Sequence, residues 1–347
     1  MSSHNETDDL RARVERHLRD HASLAQDAGR VVVTAVAPLA GGACQENFRV
    51  DVDVAGAPRT FVLRSDARTH LPGSIDREAE HAVINAAVGA GVMTPEARWL
   101  SRGLVREGAS AYFLDWVDGE AIGRKVVASP ALERARAALP AQLARELAKI
   151  HGITPAACPA VLDASSLGAD YDPVRAHLDR LRKSIDALRE PRPATELAYL
   201  WLVEHARPER ETVLVHGDFR TGNFLVGEEG LRALLDWEFS HWGSRYYDLA
   251  WICLRDWRFN RVTLPVGGFS GRRAFYDAYE RESGVTLDPA RLHYWEIVGN
   301  LQWAIGSAVQ CERVLYGGET DIELLAIGRR ACEMELEALR LVERGRL

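Results

Sequence analysis

The chain has 347 residues, of which 47% are hydrophobic and 27% charged, an ordinary globular composition that excludes a mainly disordered or fibrous protein. Its net charge of −7 argues against a dedicated nucleic-acid surface. No run free of Asp, Glu, Lys and Arg exceeds fifteen residues, short of the ~20 that a membrane-spanning helix needs.

In chain order, residues 1–10 read as a solvated tail and 11–26 as a charged helix. VVVTAV (31–36), NFRVDVDV (47–54) and RTFVLR (59–64) are β-branched or alternating runs, separated by GGA and AGAP, and read as strands. A helix is expected over 75–89, with Ser74 as N-cap, Asp76 and Glu78 in its first turn, and Gly89 and Gly91 ending it. EARWLS (96–101) and SAYFLDWV (110–117) complete a lobe of five strands and one helix. Beyond residue 120 the texture is helical, over 140–152, 172–189, 194–206, 245–257, 271–283, 288–315 and 321–344, with Leu143, Leu147 and Ile150 on one face of the first. One insert at 213–238 interrupts it, where Asn223–Gly227 and Leu231–Leu235 form a hairpin. The expectation is an α+β fold with a β-rich lobe over 1–117 and a helical lobe over 118–347.

The polar, acidic opening MSSHNETDDL does not read as a secretory signal, and none is expected. The five cysteines include no C-x-x-C, which argues against a zinc site or disulfide framework and suits a reducing, cytoplasmic setting. A soluble protein without nucleic-acid or membrane partners is expected. Lysine occurs only at Lys125, Lys149 and Lys183, so a cationic role usually given to Lys can fall to Arg.

The insert reads VLVHGDFRTGNFLVGEEGLRALLDWE and holds His216-Gly217-Asp218, then Asn223, then Asp236. Phosphoryl transfer needs a carboxylate to orient the acceptor hydroxyl and take its proton, and oxygen ligands for the magnesium that neutralises phosphate charge. Asp218 on a loop suits the first task. Asn223 offers a neutral amide oxygen and Asp236 an anionic one for the second. The H-x-D-x-x-x-x-N spacing matches the protein-kinase catalytic loop, with Asp236 where the magnesium-binding Asp would be.

The segments HGDFRTGNFLV, LLDWE and YYDLAW resemble the aminoglycoside phosphotransferase and choline kinase superfamily, small-molecule relatives of protein kinases. The look is closest to the kinase-like domains linked to acyl-CoA dehydrogenases, and the matches run from about residue 36 to 255. The resemblance implies a bilobal protein-kinase-like fold with a small five-stranded antiparallel first lobe, ATP with Mg2+, and a hydroxyl-bearing small-molecule acceptor. It makes Asp218 the catalytic base and Asn223 and Asp236 the metal ligands. Glu238 also matches, as a metal contact or as the partner of a nearby arginine. Asp248 matches an Asp that supports the catalytic loop in the family, although by its own sequence it is equally a helix-surface carboxylate. His216 is expected to brace the loop and His151 to be a structural histidine.

The same resemblance places the nucleotide on the first lobe. Gly41 and Gly42, in LAGGACQEN between two strands, take the position of a shortened phosphate loop. Arg64, ending FVLR, stands where a kinase has its phosphate-pairing Lys, with Glu80 as helix partner in preference to Glu78. The backbone of Asp115, Trp116 and Val117 would meet the adenine edge, and Trp116 would cover it. Tyr294, Trp295, Asn300, Gln302 and Trp303 lie on one long helix and read as core before ligand box. The acceptor stays open between aminoglycoside-like, hydroxyacyl and other alcohols. A catalytically weak nucleotide-binding regulator of the same fold is the alternative. A protein kinase is disfavoured because no A-P-E segment follows Asp236.

Overall fold

The structure is a computed structural model, and it describes residues 2–21, 31–39, 46–66, 73–165 and 167–347. The expected phosphate-loop glycines Gly41 and Gly42 lie outside the described residues. Strands β1 (Val31–Pro38), β2 (Glu46–Val54), β3 (Ala57–Ser65), β4 (Ala97–Arg102) and β5 (Ser110–Asp115) form one antiparallel sheet in the order β1-β2-β3-β5-β4. The strand expected to reach residue 117 ends at Asp115.

Strand alternation gives this sheet two different faces. Ala111 and Phe113 of β5 join Val50, Val52, Phe61 and Leu63 in a cluster covered by helix α1 (Ser2–Asp20), whose Leu10, Val14 and Leu18 are buried there. Helix α1 therefore begins at Ser2, across the segment read as a tail. It is tied to the sheet edge by Arg19 Nε donating to Val31 O at 2.9 Å and Val33 N donating to Glu15 Oε2 at 2.9 Å. Tyr112 and Leu114 face the opposite way, with Val83, Ile84 and Ala87 of helix α2 (Arg77–Gly89), toward the second lobe. The cap of α2 is Asp76, which accepts from Ala79 N at 2.8 Å, and not the expected Ser74.

The helical part comprises α3 (Gly123–Ala128), α4 (Glu133–His151), α5 (Pro173–Asp186), α6 (Pro193–Glu204), α7 (Arg245–Trp251), α8 (Arg272–Ser283), α9 (Pro289–Leu315), α10 (Ile322–Gly328) and α11 (Arg330–Arg344). Leu143, Leu147 and Ile150 of α4 are buried as expected. The segment expected as one helix over 245–257 breaks at Trp251 and resumes as a 3-10 turn at Arg255–Arg258, and the expected 321–344 helix is two. Among the described residues no helix is long and apolar enough to cross a membrane.

Two small sheets hold the insert. β7 (Phe224–Gly227) and β8 (Gly230–Leu234) form the expected hairpin, and β6 (Val213–Val215) pairs with β9 (His241–Gly243), which leads into α7. The hairpin is also bonded to both sides of the interlobe connection. Glu120 and Val226 exchange backbone bonds of 2.9 and 3.0 Å, and Leu234 N donates to Met93 O at 2.8 Å. At Gly119 a Cβ would lie 2.9 Å from Leu225 Cβ, so this crossing requires glycine.

Candidate active site

A cavity of about 520 Å3 lies between the sheet and the insert. Its walls include Arg64, Glu80, Asp115, Trp116 and Val117 from the first lobe, and Arg220, Asn223 and Asp236 from the insert. Val62, Leu114, Leu225 and Leu234 supply apolar surface at the same opening. Residues far apart in sequence thus meet where a planar, phosphate-bearing ligand would find both an apolar slot and charge.

The insert is shaped from beneath by Asp248, which is fully buried on α7 and so is no helix-surface carboxylate. Its Oδ2 accepts His216 N at 2.8 Å and its Oδ1 accepts Gly217 N at 3.0 Å. His151 Nε2 bonds Asp248 Oδ2 at 3.2 Å and His151 Nδ1 bonds Tyr279 Oη at 2.8 Å, a satisfied structural histidine. Burial opposes the charge on Asp248, yet the bonds from His151 and His216 hold its carboxyl below its ordinary range.

His216 braces the loop as expected. Its Nδ1 accepts from Asp218 N at 3.3 Å and its Nε2 lies 3.1 Å from Leu235 O, so Nε2 carries the proton in this arrangement. One imidazole thereby fixes the spacing between Asp218 and the residue before Asp236. Burial pushes the pKa of His216 down, so the ring stays neutral for this task. Gly217 has φ +86°, and a Cβ there would sit 2.1 Å from Phe239 O, so no other residue fits the turn.

Asp218 accepts Trp251 Nε1 at 2.7 Å and is gripped by Arg220 Nε at 3.0 and 3.1 Å. Asn223 Nδ2 donates to Asp218 O at 3.0 Å and to the Asp218 carboxylate, which leaves the amide oxygen as its remaining polar atom. Leu235 N donates to Asn223 O at 2.8 Å, so the hairpin register sets Leu235 opposite Asn223 and Asp236 one residue beyond it. Asp236 itself has φ +69°, a left-handed conformation that a non-glycine residue adopts at some cost.

On the sheet side, Arg64 Nη2 lies 3.0 Å from Glu80 Oε1 and 3.1 Å from Asp236 Oδ1. Glu78, the rejected alternative, binds Arg102 and Ser110 on the outside. Burial works against the Arg64 charge, but Glu80, then Tyr112 and Asp236, hold its pKa well above the ordinary value. Glu80 also receives Arg77 Nη1, and Arg77 Nη2 lies 3.3 Å from Glu238 Oε2. Of the two roles open for Glu238, the structure places it on an arginine. Burial, followed by the nearby Asp236 charge, pushes its carboxyl up to about 7.

The backbone at the interlobe connection divides by strand parity. Trp116 N donates to Thr60 O at 3.1 Å, which turns the backbone polar groups of Asp115 away from β3 and toward the open side. The Trp116 ring is 36% exposed, lies 5.0 Å from the Arg49 guanidinium, and donates through Nε1 to Asp118 at 2.8 Å. Tyr294, Trp295 and Asn300 of α9 are buried core. Gln302 donates to Tyr247 Oη at 2.7 Å and Trp303 Nε1 donates to Asp256 at 2.5 Å. Sequence reasoning missed Arg77, Arg220 and Trp251, although Arg220 and Trp251 sit inside the HGDFR and YYDLAW motifs.

Comparison with known proteins places this geometry. A model of the phosphotransferase enzyme family matches residues 35–294. Acyl-CoA dehydrogenase family member 10 of Mus musculus is 32% identical over 206 residues, which is 57% of this chain and 18% of that protein, so the chain spans less than a fifth of that relative's length. A Ralstonia eutropha structure assigned to the aminoglycoside phosphotransferases superposes with a TM-score of 0.69 at 22% identity, over 97% of this chain and 98% of that one. A choline/ethanolamine kinase family protein from Mesorhizobium loti gives 0.58 at 18% identity, over 97% and 95%. Spectinomycin phosphotransferase, solved with ADP and spectinomycin, gives 0.58 at 13% identity, over 94% and 98%. These structural likenesses establish the bilobal kinase-like fold. Because the family model spans both the sheet carrying Arg64 and the insert carrying Asp218, the chain belongs to the phosphotransferase enzyme family.

Proposed function

We propose that the protein is an ATP- and magnesium-dependent kinase that moves the γ-phosphate to a hydroxyl of a small molecule. The observation that carries this reading is the convergence of Asn223, Asp236 and Arg64 on one cavity, with Asp218 bonded directly to Asn223 at its edge. Relatives of the same fold have been solved with ADP and spectinomycin and with AMP-PNP and hygromycin B, which supports a nucleotide and a hydroxylated acceptor.

The donor set fits magnesium. Among the described residues no cluster of three His, Cys, Asp or Glu could hold a metal alone. One amide oxygen and one carboxylate beside a phosphate-sized opening is the sparse hard-oxygen set that magnesium uses when phosphates and water complete its shell. Asn223 and Asp236 would hold the ion, and it would neutralise charge on the phosphates.

The side chains divide the remaining work. Arg64 presents a rigid two-pronged cation to the phosphates from the sheet side, held by Glu80. The backbone of Asp115 and Val117 meets the adenine edge, between Val62 and Leu225. Asp218 accepts a hydrogen bond from the acceptor hydroxyl and takes its proton as the hydroxyl oxygen bonds to the γ-phosphorus. The bond from that phosphorus to the bridging oxygen breaks, ADP leaves with the electron pair, and Asp218 releases the proton to solvent.

The deciding measurement is acceptor-dependent ADP formation across hydroxyl-bearing metabolites and antibiotics, with Asp218→Asn as the blank. ADP release that requires both an acceptor and Asp218 is expected. Nucleotide binding without transfer to any acceptor would favour the regulatory alternative.

A further inference from the structure

The carboxylate proposed as the base is crowded by donors of its own chain. Oδ1 of Asp218 accepts Trp251 Nε1 at 2.7 Å and Arg220 Nε at 3.0 Å, while Oδ2 accepts Arg220 Nε at 3.1 Å and the Asn223 amide. Three N–H groups thus converge on a carboxylate with about four lone-pair sites, and the single Nε–H of Arg220, shared between both oxygens, lies across its open edge. Withdrawal of one donor would free the position through which a hydroxyl best reaches Asp218.

The three donors differ in their freedom. Trp251 is buried and stacked on Tyr247 with ring centroids 5.4 Å apart. Asn223 is buried and anchored a second time, on Asp218 O. The Arg220 side chain is 25% exposed, its second bond is a long one from Nη1 to Thr221 O at 3.3 Å, and its guanidinium rests 4.4 Å from the Trp257 ring, a platform on which a cation can turn while keeping its π contact. Gly222 leaves room beside it, since a Cβ there would lie 2.7 Å from Arg220 Nη1.

The destination is in the same cavity. Of the described residues lining it, only Arg64 and Arg220 are cationic. Arg64 is held from the sheet side by Glu80 and Asp236, whereas Arg220 enters from the loop side beside Asn223. We infer that Arg220 is a two-position residue: it covers Asp218 while no terminal phosphate is present, and transfers to the γ-phosphate when ATP binds, baring Asp218 to the acceptor hydroxyl. The exchange replaces a carboxylate by a more highly charged phosphate that accepts the same guanidinium geometry. It makes the base available only when there is a phosphoryl group to transfer. It also leaves a cation on that group as charge shifts within it, the task of an arginine supplied in cis.

The inference rests on the ATP reading, and nucleotide binding alone tests it. ADP and AMP-PNP, each with magnesium, are titrated calorimetrically into the wild type and into Arg220→Ala, Arg220→Gln and Arg220→Lys. The Ala and Gln variants are expected to bind AMP-PNP ~10–100-fold more weakly, the scale of a lost charge-assisted bond, with ADP affinity unchanged and Lys recovering part of the loss. Equal effects on both nucleotides, or none, would overturn the two-position role while leaving the ATP reading in place. Loss of ADP binding in both the Ala and Gln variants would make Arg220 part of the fold and also overturn it. A wild type that binds neither nucleotide would remove the ATP reading itself and this inference with it.

Discussion

Arg64 crosses the cavity from the end of β3 to place Nη2 3.1 Å from Oδ1 of Asp236, a contact spanning 172 positions of sequence. It joins the strand that would face the phosphates to the carboxylate that would face the metal. It also steadies a residue whose own backbone is left-handed.

Arg64→Ala is expected to weaken ATP use strongly and Glu80→Ala less, with the double variant less impaired than the summed losses because both act through one pair. Arg64→Lys separates charge from shape. Wild-type ATP kinetics in Arg64→Ala, measured with an identified acceptor, would remove Arg64 from the phosphate site.

Glu80 has no exposed surface and answers two guanidinium groups, those of Arg64 and Arg77. Glu80→Ala leaves both buried cations short of a partner, so a stability loss of ~3–5 kcal/mol is expected in urea unfolding. A change below ~0.5 kcal/mol, the scale of an ordinary surface substitution, would show that Glu238 and Asp236 suffice.

Asp218→Asn keeps the shape of the side chain and removes its proton affinity. With an identified acceptor, turnover should fall by ~10²-fold or more while ADP affinity stays near wild type. Unimpaired turnover would exclude Asp218 as the base.

Two glycines with similar backbone angles make a controlled pair. Gly108 (φ +75°) has open space around the absent Cβ, whereas a Cβ on Gly217 (φ +86°) would strike Phe239 O. Gly108→Ala should cost only the ~1–2 kcal/mol of the left-handed conformation. Gly217→Ala should lower the thermal midpoint substantially more, because the clash falls on backbone, and equal midpoints would refute the constraint.

The buried histidines set an acid limit. Burial lowers the pKa values of His151, His177, His216 and His241 from 6.5, that of His241 to about 4. Below pH 6.5 the unfolded chain takes up protons that the folded rings resist, so stability is full above that value and falls as pH drops toward 4. Urea unfolding at stepped pH should show this slope, and His241→Gln should reduce it. A flat profile between those limits would mean that these rings charge in place.

Much of the insert was legible because its chemistry is local. Asp218, Asn223 and Asp236 belong to one loop and hairpin, where turn geometry and strand register convert spacing into position. Arg64 and Glu80 were legible one step less directly, through the family resemblance that sets a cation at the end of a strand against a helix carboxylate. Ser74 and Asp76 were both acceptable caps by type, and only the path of the chain into α2 chose Asp76. The start of α1 was missed for a related reason: MSSHNETDDL is polar, and the helix is held by Leu10, Val14 and Leu18 docking on a sheet formed later in the chain.

The sequence by itself determined most of the order of strands and helices and the set of oxygen-bearing side chains gathered in one insert, because each follows from periodicity or spacing within a few residues. Only the tertiary structure decided which charges meet. Arg77 could have served several carboxylates and was given Glu80 and Glu238; Asp248 could have faced water and was buried beneath the loop; Arg220 could have pointed outward and was folded onto Asp218. A charged side chain is indifferent to sequence distance, and its partner is whichever opposite charge the packed lobes bring within a few ångströms while excluding water.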